Sequence, residues 1–277
     1  MVEFSALKKI YFYCGLPRSG NTLLSCILNQ NPEISATAHS ILPDLMFYIE
    51  KVKHHSTIYN NFPDSKSIDN VSKNLFNSYY KDWKSNIIIE RGEWITPCNF
   101  SLLERHFQSE IKIIVLVRDV LDILKSYINL CNKDKKFHIN QIYNGLDKTT
   151  LYKSEVEEKC DIVMQKNSFI DIMLYSIKWL LENNKQEHLH FVNYNDLVEN
   201  TEYTISGIYE FLNIDYYKHR FTNLEQLNIN DVSYNDDIPG IGGDMHTIRS
   251  DKIEFIESQV ELPQKVVNKY SGLRLWP

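Results

Sequence analysis

Residues 13–24, YCGLPRSGNTLL, gather residue types that bind an anion: two glycines, an arginine and three short polar side chains around one turn. A β-branched and aromatic run from Lys9 to Cys14 stops at Gly15. Helical spacing begins at Asn21, with Leu23, Leu24, Ile27 and Leu28 on one face, and Pro32 ends it. The segment therefore reads as strand, glycine turn and helix start. Backbone N–H groups in such a turn converge on one point, and the helix N-terminus adds positive partial charge there. Gly15 and Gly20 allow positive φ and close approach of an anion, Arg18 adds a full charge with forked donors, and Ser19, Asn21 and Thr22 sit at the helix start. The alternative is an ordinary strand-to-helix turn with a capping residue. A nucleotide-hydrolysing P-loop is a poor match, because its spacing requires Lys at position 21, where Asn stands, and no Walker B strand is evident.

A second basic constellation lies at Arg118, at the end of KIIVLV, with Ser126 eight residues on. Doubly wound sheets bind ligands at the carboxyl ends of their strands, and Ser126 falls about two turns into the following helix. An Arg-Asp pair at a strand end serves equally well as a helix cap, so this spacing alone leaves both roles open.

The rest of the chain supplies the elements that position these groups. Strands are expected at Lys9 to Cys14, Asn86 to Glu90, Lys112 to Val117 and His188 to Tyr194. Helices are expected from Asn21, from near Asp119, over Ser168 to Leu181 and over Glu202 to Leu212. This alternation predicts an α/β fold with a central parallel β-sheet flanked by helices in a single domain. Two regions depart from it: the polar stretch from His54 to Ser85, and Asn132 to Cys160, which reads as a long solvated insertion.

Composition narrows the possible partners. Of 277 residues, 43% are hydrophobic and 24% charged, with a formal charge of -6. A net-acidic chain is ill suited to non-specific nucleic-acid or membrane binding. Its apolar runs are too short to span a bilayer, and its first residues do not read as a signal peptide. Five cysteines without C-x-x-C pairing fit reduced thiols, so a cytoplasmic protein is expected.

The sequence resembles the sulfotransferase superfamily, whose members use 3′-phosphoadenosine 5′-phosphosulfate (PAPS). GLPRSGNTLLSCILNQNP is similar to the family's 5′-phosphosulfate loop in the P-R-S-G form of the tyrosylprotein and many microbial branches, with Arg18 replacing the family lysine. The resemblance assigns residues 18–23 (Arg18, Ser19, Gly20, Asn21, Thr22 and Leu23) to the donor's 5′ end. VLVRDVLDILKSY resembles the 3′-phosphate segment, which assigns Arg118 and Ser126 to that phosphate. The similarity of HFVNYNDLVENTEYTISGIYEFLNI to the family's late strand and helix places Tyr194 near the adenine. IPGIGGDMH resembles the C-terminal loop that closes over the donor, implicating Gly240 and Gly243, although Ile238 and Pro239 replace a basic pair; Arg249 or His246 are the available substitutes. The implied architecture is one P-loop-like sulfotransferase domain over residues 1–277, with variable insertions at about 43–85 and 132–167.

Sulfuryl transfer needs in-line positioning, charge stabilisation and a base for the acceptor proton. Arg18 suits charge stabilisation at the bridging oxygen, and Arg91 falls near a family lysine that contacts the transferring group. The base candidates are His39, Glu90 and Glu93. His39 occupies about the position of the tyrosylprotein branch's glutamate, and a histidine, with an ordinary pKa near about 6.5, is a neutral acceptor at working pH. A solvent-facing loop histidine is the competing reading. No metal is expected, since His54-His55 and His188-x-His190 lack partners at zinc spacing and the moving SO₃ carries less charge than a γ-phosphoryl group. The acceptor is expected to be a small molecule, glycan or peptide, with residues 39–85 and 132–167 the candidate walls of its pocket. The rival readings are a P-loop kinase and a catalytically inactive PAPS-binding protein.

Overall fold

The computed structural model describes residues 8–107, 109–147, 153–225, 228–229, 232–233, 248, 252–255 and 258–276. Five strands, β1 (Lys9–Gly15), β2 (Ile34–Ala36), β3 (Ile87–Arg91), β4 (Ile113–Val117) and β5 (Leu189–Asn193), form an all-parallel sheet in the order β2-β3-β1-β4-β5. A separate two-stranded antiparallel pair joins β6 (Asn228–Ile229) and β7 (Val232–Ser233).

Strand alternation sends side chains into two cores. Phe12, Cys14, Ile88, Ile113, Val115 and Val117 enter one, while Tyr13, Ile89, Ile114, Leu116 and Val192 enter the other. β4 is buried throughout because both of its faces are covered. The second core is closed by α1 (Asn21–Leu28) and by α10 (Tyr194–Glu199) and α11 (Thr201–Leu212) after β5. The first core is larger. It takes side chains from α2 (Leu42–His55), α4 (Ser65–Tyr79), α5 (Pro97–His106), α6 (Val120–Lys133), α7 (His138–Asn144), α8 (Glu155–Val163), α9 (Phe169–Glu182) and α12 (Gln264–Tyr270). The short α3 (Thr57–Asn61) buries nothing. The helices after β1 and β4 thus leave toward opposite faces, which opens a crevice at the carboxyl ends of these neighbouring strands.

Three sequence expectations are corrected. The described part of the stretch from Asn132 to Cys160 is not a solvated insertion: Phe137, at the start of α7, Ile139 on α7 and Cys160 on α8 are buried in the larger core. The polar stretch from His54 to Ser85 is largely helical, with α4 anchored by Phe76. His188 lies in a one-turn 3₁₀ helix, its Nδ1 3.0 Å from the Ile111 carbonyl oxygen, and Tyr194 opens α10 rather than ending a strand.

An ionic cluster docks the last helix. Asp161 on α8 accepts from Lys153 Nζ at 2.5 Å, Lys269 Nζ at 2.7 Å and the Tyr270 hydroxyl at 2.5 Å. Burial pushes the Asp161 carboxyl up, but these three donors outweigh it and hold the carboxyl down at about 2. A depressed carboxylate contributes stability above its unfolded pKa and loses it as pH falls through the folded one. Asp161→Asn should therefore cost about 1–2 kcal/mol at pH 7, with the gap to wild type closing between pH 4 and 2 in thermal melts.

Candidate active site

The turn between β1 and α1 is shaped by two glycines and one residue in left-handed backbone. A Cβ on Gly15 would stand 2.7 Å from both Asn21 Oδ1 and Leu116 Cβ. Gly20 has φ +90°, and a Cβ there would lie 3.1 Å from Leu197 Cδ2 and 3.2 Å from Tyr194 Cδ2, so its bareness admits α10 to the turn. Arg18 has φ 61°, a conformation costing about 1–2 kcal/mol for a residue with a Cβ.

Ser19 and Asn21 face inward. The Ser19 hydroxyl donates to the Leu16 carbonyl at 2.5 Å, and Asn21 Nδ2 donates to the same oxygen at 2.9 Å. Both side chains are buried. They brace the turn, so what these two residues present to an anion is main-chain N–H. Thr22 and Leu23 follow on the first turn of α1, half-buried.

Arg18 and Arg118, a hundred positions apart, meet in the crevice. Arg18 Nε donates to Ser126 Oγ at 3.1 Å, and an Arg118 terminal nitrogen donates to the Arg18 carbonyl oxygen at 2.8 Å. The Arg118 guanidinium lies 4.0 Å from the centroid of the Tyr194 ring, and the Phe255 ring is 6.4 Å from that ring between centroids. Asp119 is the helix cap, accepting from the N–H groups of Leu121 and Asp122. The strand-end pair thus divides its labour: Asp119 caps α6 and Arg118 turns into the crevice. Burial lowers the Arg118 pKa, and its Nε is buried without a hydrogen-bond partner among the described residues. A desolvated guanidinium with an unused donor fits an anionic ligand.

On the other side of the turn, the loop after β2 meets the end of β3. Tyr13 ties this side to α1, its hydroxyl bonded to Ser25 Oγ and the Thr37 carbonyl oxygen. Arg91 donates its backbone N–H to Thr37 Oγ1 at 2.7 Å and its guanidinium to the Ala38 carbonyl at 2.5 Å. His39 Nε2 lies 3.8 Å from Glu93 Oε1, with the histidine side chain 46% exposed. Glu90 is different: its side chain is fully buried beneath this surface. The remaining base candidates are His39 and Glu93, in contact and open to solvent.

Arg91 ends β3, and the β1 turn, Arg118 and Tyr194 follow β1, β4 and β5; these are four adjacent strands. At about 4.8 Å per strand this row is about 14 Å long. Gly240 and Gly243, together with Ile238, Pro239, His246 and Arg249, lie outside the described residues.

One metal-ligand constellation escaped the sequence. Donor atoms of Glu50, Asp69 and His106, from α2, α4 and α5, lie within 4.8 Å of one another. Lys53 Nζ already sits among them, 3.0 Å from Glu50 and 2.5 Å from Asp69, and Arg105 holds the other Glu50 oxygen at 2.5 Å. Two cations face two carboxylates, and the cluster reads as an ionic lock between three helices. Only the three-dimensional packing of the helices brings these residues together.

A family profile described as "Sulfotransferase domain" matches residues 9–237, and the chain belongs to that family. Among solved structures it is similar to the sulfotransferase domain of the Synechococcus PCC 7002 olefin synthase, at 15% identity and a TM-score of 0.52, covering 95% of this chain and 94% of that one. A sulfotransferase domain from the curacin biosynthetic pathway matches at 16% identity and a TM-score of 0.46, covering 99% and 94%. Comparison with curated protein sequences gives no match. No helix among the described residues is long and apolar enough to cross a membrane.

Proposed function

We propose that this sulfotransferase moves a sulfuryl group from PAPS to a hydroxyl or amine of an acceptor, releasing adenosine 3′,5′-bisphosphate. The observation that carries the reading is the joining of two anion-binding segments in one crevice: Arg18 on Ser126, and Arg118 on the Arg18 carbonyl. The β1 turn and Arg18 take the donor's phosphosulfate, Arg118 with Ser126 takes its 3′-phosphate, and the Tyr194 ring lies beside the adenine. His39, oriented by Glu93, takes the acceptor's proton as its oxygen or nitrogen bonds to sulfur. The bond from sulfur to the bridging oxygen breaks, and Arg18 and Arg91 stabilise the charge left on the phosphate and on the moving SO₃. A protonated arginine keeps its proton throughout, so these two act by charge and not as acids. No side chain of this scheme calls for a metal.

The acceptor is a small molecule, glycan or peptide approaching from the His39 side. Incubating the protein with sulfur-labelled PAPS and an extract of the source cell, then separating labelled products, tests the proposal. Label in a product that disappears in Arg18→Ala supports it. ATP consumption with Mg²⁺ and no response to PAPS would replace it with a kinase. Tight PAPS binding without transfer or slow hydrolysis would leave only a binding protein.

A further inference from the structure

Glu90 pairs in register with Phe12 and therefore points into the larger core, while Arg91, one residue on, points to the opposite face. Its carboxyl is fully buried, and the groups around it are neutral: the Trp94 indole N–H donates to Oε2, Oε1 has no hydrogen-bond partner among the described residues, and the Ser40 and Tyr80 hydroxyls are close enough to favour its charged form. Ser40 directly follows His39, and Trp94 directly follows Glu93. The carboxyl thus sits beneath both loops that carry the acceptor-side pair. These loops also touch above it: a Cβ on Gly92 would be 2.4 Å from Pro43 Cγ and 3.0 Å from Trp94 Nε1. Ser40 Oγ meanwhile accepts the N–H of Leu42, starting α2.

We infer that Glu90 is a positioning residue, holding the His39 and Glu93 loops at their separation as an uncharged carboxylic acid. This rests on the proposed role of His39 and Glu93. An ionised carboxylate in this place would be a buried charge among neutral donors, with like charge on Glu93 nearby. Burial pushes the Glu90 carboxyl up to about 8, against the pull of the Ser40, Trp94 and Tyr80 donors. The other titratable groups that feel it are Tyr13, Tyr79 and Tyr80, all held above their ordinary range by burial first. Raising pH through about 8 ionises Glu90, which strengthens its pull on the Trp94 N–H and sets a buried charge against Glu93, shifting the His39–Glu93 contact. Because the folded pKa lies above the unfolded one, stability is greatest below about pH 4.5 for this group and is lost as pH rises through 8.

The test follows two signals in the full-length protein by NMR: the Trp94 indole N–H and the ring protons of His39. In wild type the Trp94 resonance should move with a midpoint near pH 8; in Glu90→Gln, which keeps shape and hydrogen bonding, it should stay flat from pH 6 to 9. The His39 resonances should match wild type at pH 7 in Glu90→Gln and shift in Glu90→Ala. Trp94→Phe, which removes the indole donor while leaving the carboxyl, should shift His39 as well. A pH-independent Trp94 signal in wild type, or unchanged His39 resonances in both Glu90→Ala and Trp94→Phe, overturns the inference. Calorimetry with adenosine 3′,5′-bisphosphate separates this outcome from failure of the functional proposal. All three variants should bind it within about threefold of wild type, and absence of binding by wild type would count against the donor site instead.

Discussion

Arg18→Ala should lower sulfuryl transfer from PAPS by about 10³-fold or more while leaving the fold intact. The expectation follows from the place of the residue. Its backbone is pinned in a left-handed conformation between Gly15 and Gly20, and its side chain reaches Ser126 across the crevice. A guanidinium fixed in this way needs no reorganisation when negative charge grows on the bridging oxygen, which is the condition under which a donor contributes most to rate. Arg18→Lys keeps the charge and loses the fork, so its activity should fall by about 10- to 10²-fold, the worth of one charge-assisted hydrogen bond. Arg18→Gly separates chemistry from folding. It relieves the left-handed strain of about 1–2 kcal/mol and should melt no lower than the alanine variant, yet be equally inactive. Labelled transfer to the acceptor identified from extract is the measurement. Arg18→Ala turning over within tenfold of wild type would remove Arg18 from the chemistry.

The parts of this molecule that were readable in its sequence are those where local pattern and tertiary role coincide. β1, β3 and β4 are apolar runs because each is covered on both faces, and α6, α9 and α11 carry stripes that meet the core. β2 went unread because Ile34–Ala36 is three residues long and takes its identity from pairing with β3. The helices between residues 42 and 79 were obscured by large apolar side chains on their outer surface, Tyr48, Ile58 and Phe62 among them, which blur the amphipathic period. At the site, residue types announced an anion cradle, but side-chain direction did not follow from type. Ser19 and Asn21 turn inward because the Leu16 carbonyl at the sharp exit of β1 needs donors. Glu90 and Arg91 part company because neighbouring strand residues face opposite ways, a fact that the register against Phe12 fixes and a lone NIIIERGE does not.

Arg118→Met should weaken binding of adenosine 3′,5′-bisphosphate by about 10²-fold and barely change the stability of the free protein. The two halves of this prediction have one cause. In the free protein, Arg118 donates to the Arg18 carbonyl and lies over the Tyr194 ring, contacts that stabilise; its Nε is buried and has no partner among the described residues, and burial disfavours its charge, which destabilises. These terms oppose each other, and an apolar chain of similar length should leave stability within about 1 kcal/mol. Ligand reverses the balance, since a phosphate supplies the missing acceptor and the counter-charge at once. Thermal melts show both halves in one experiment. With ligand at a hundred times the wild-type Kd, wild type gains about 2.7 kcal/mol, whereas a variant bound a hundredfold more weakly gains about 0.4 kcal/mol. Arg118→Lys should recover only part of the loss, because a lysine offers a point charge without the planar face that meets Tyr194. Near-normal affinity in Arg118→Met would mean that the second anion-binding segment holds something other than the donor, and the row of residues along the four strand ends would have to be read as two separate sites.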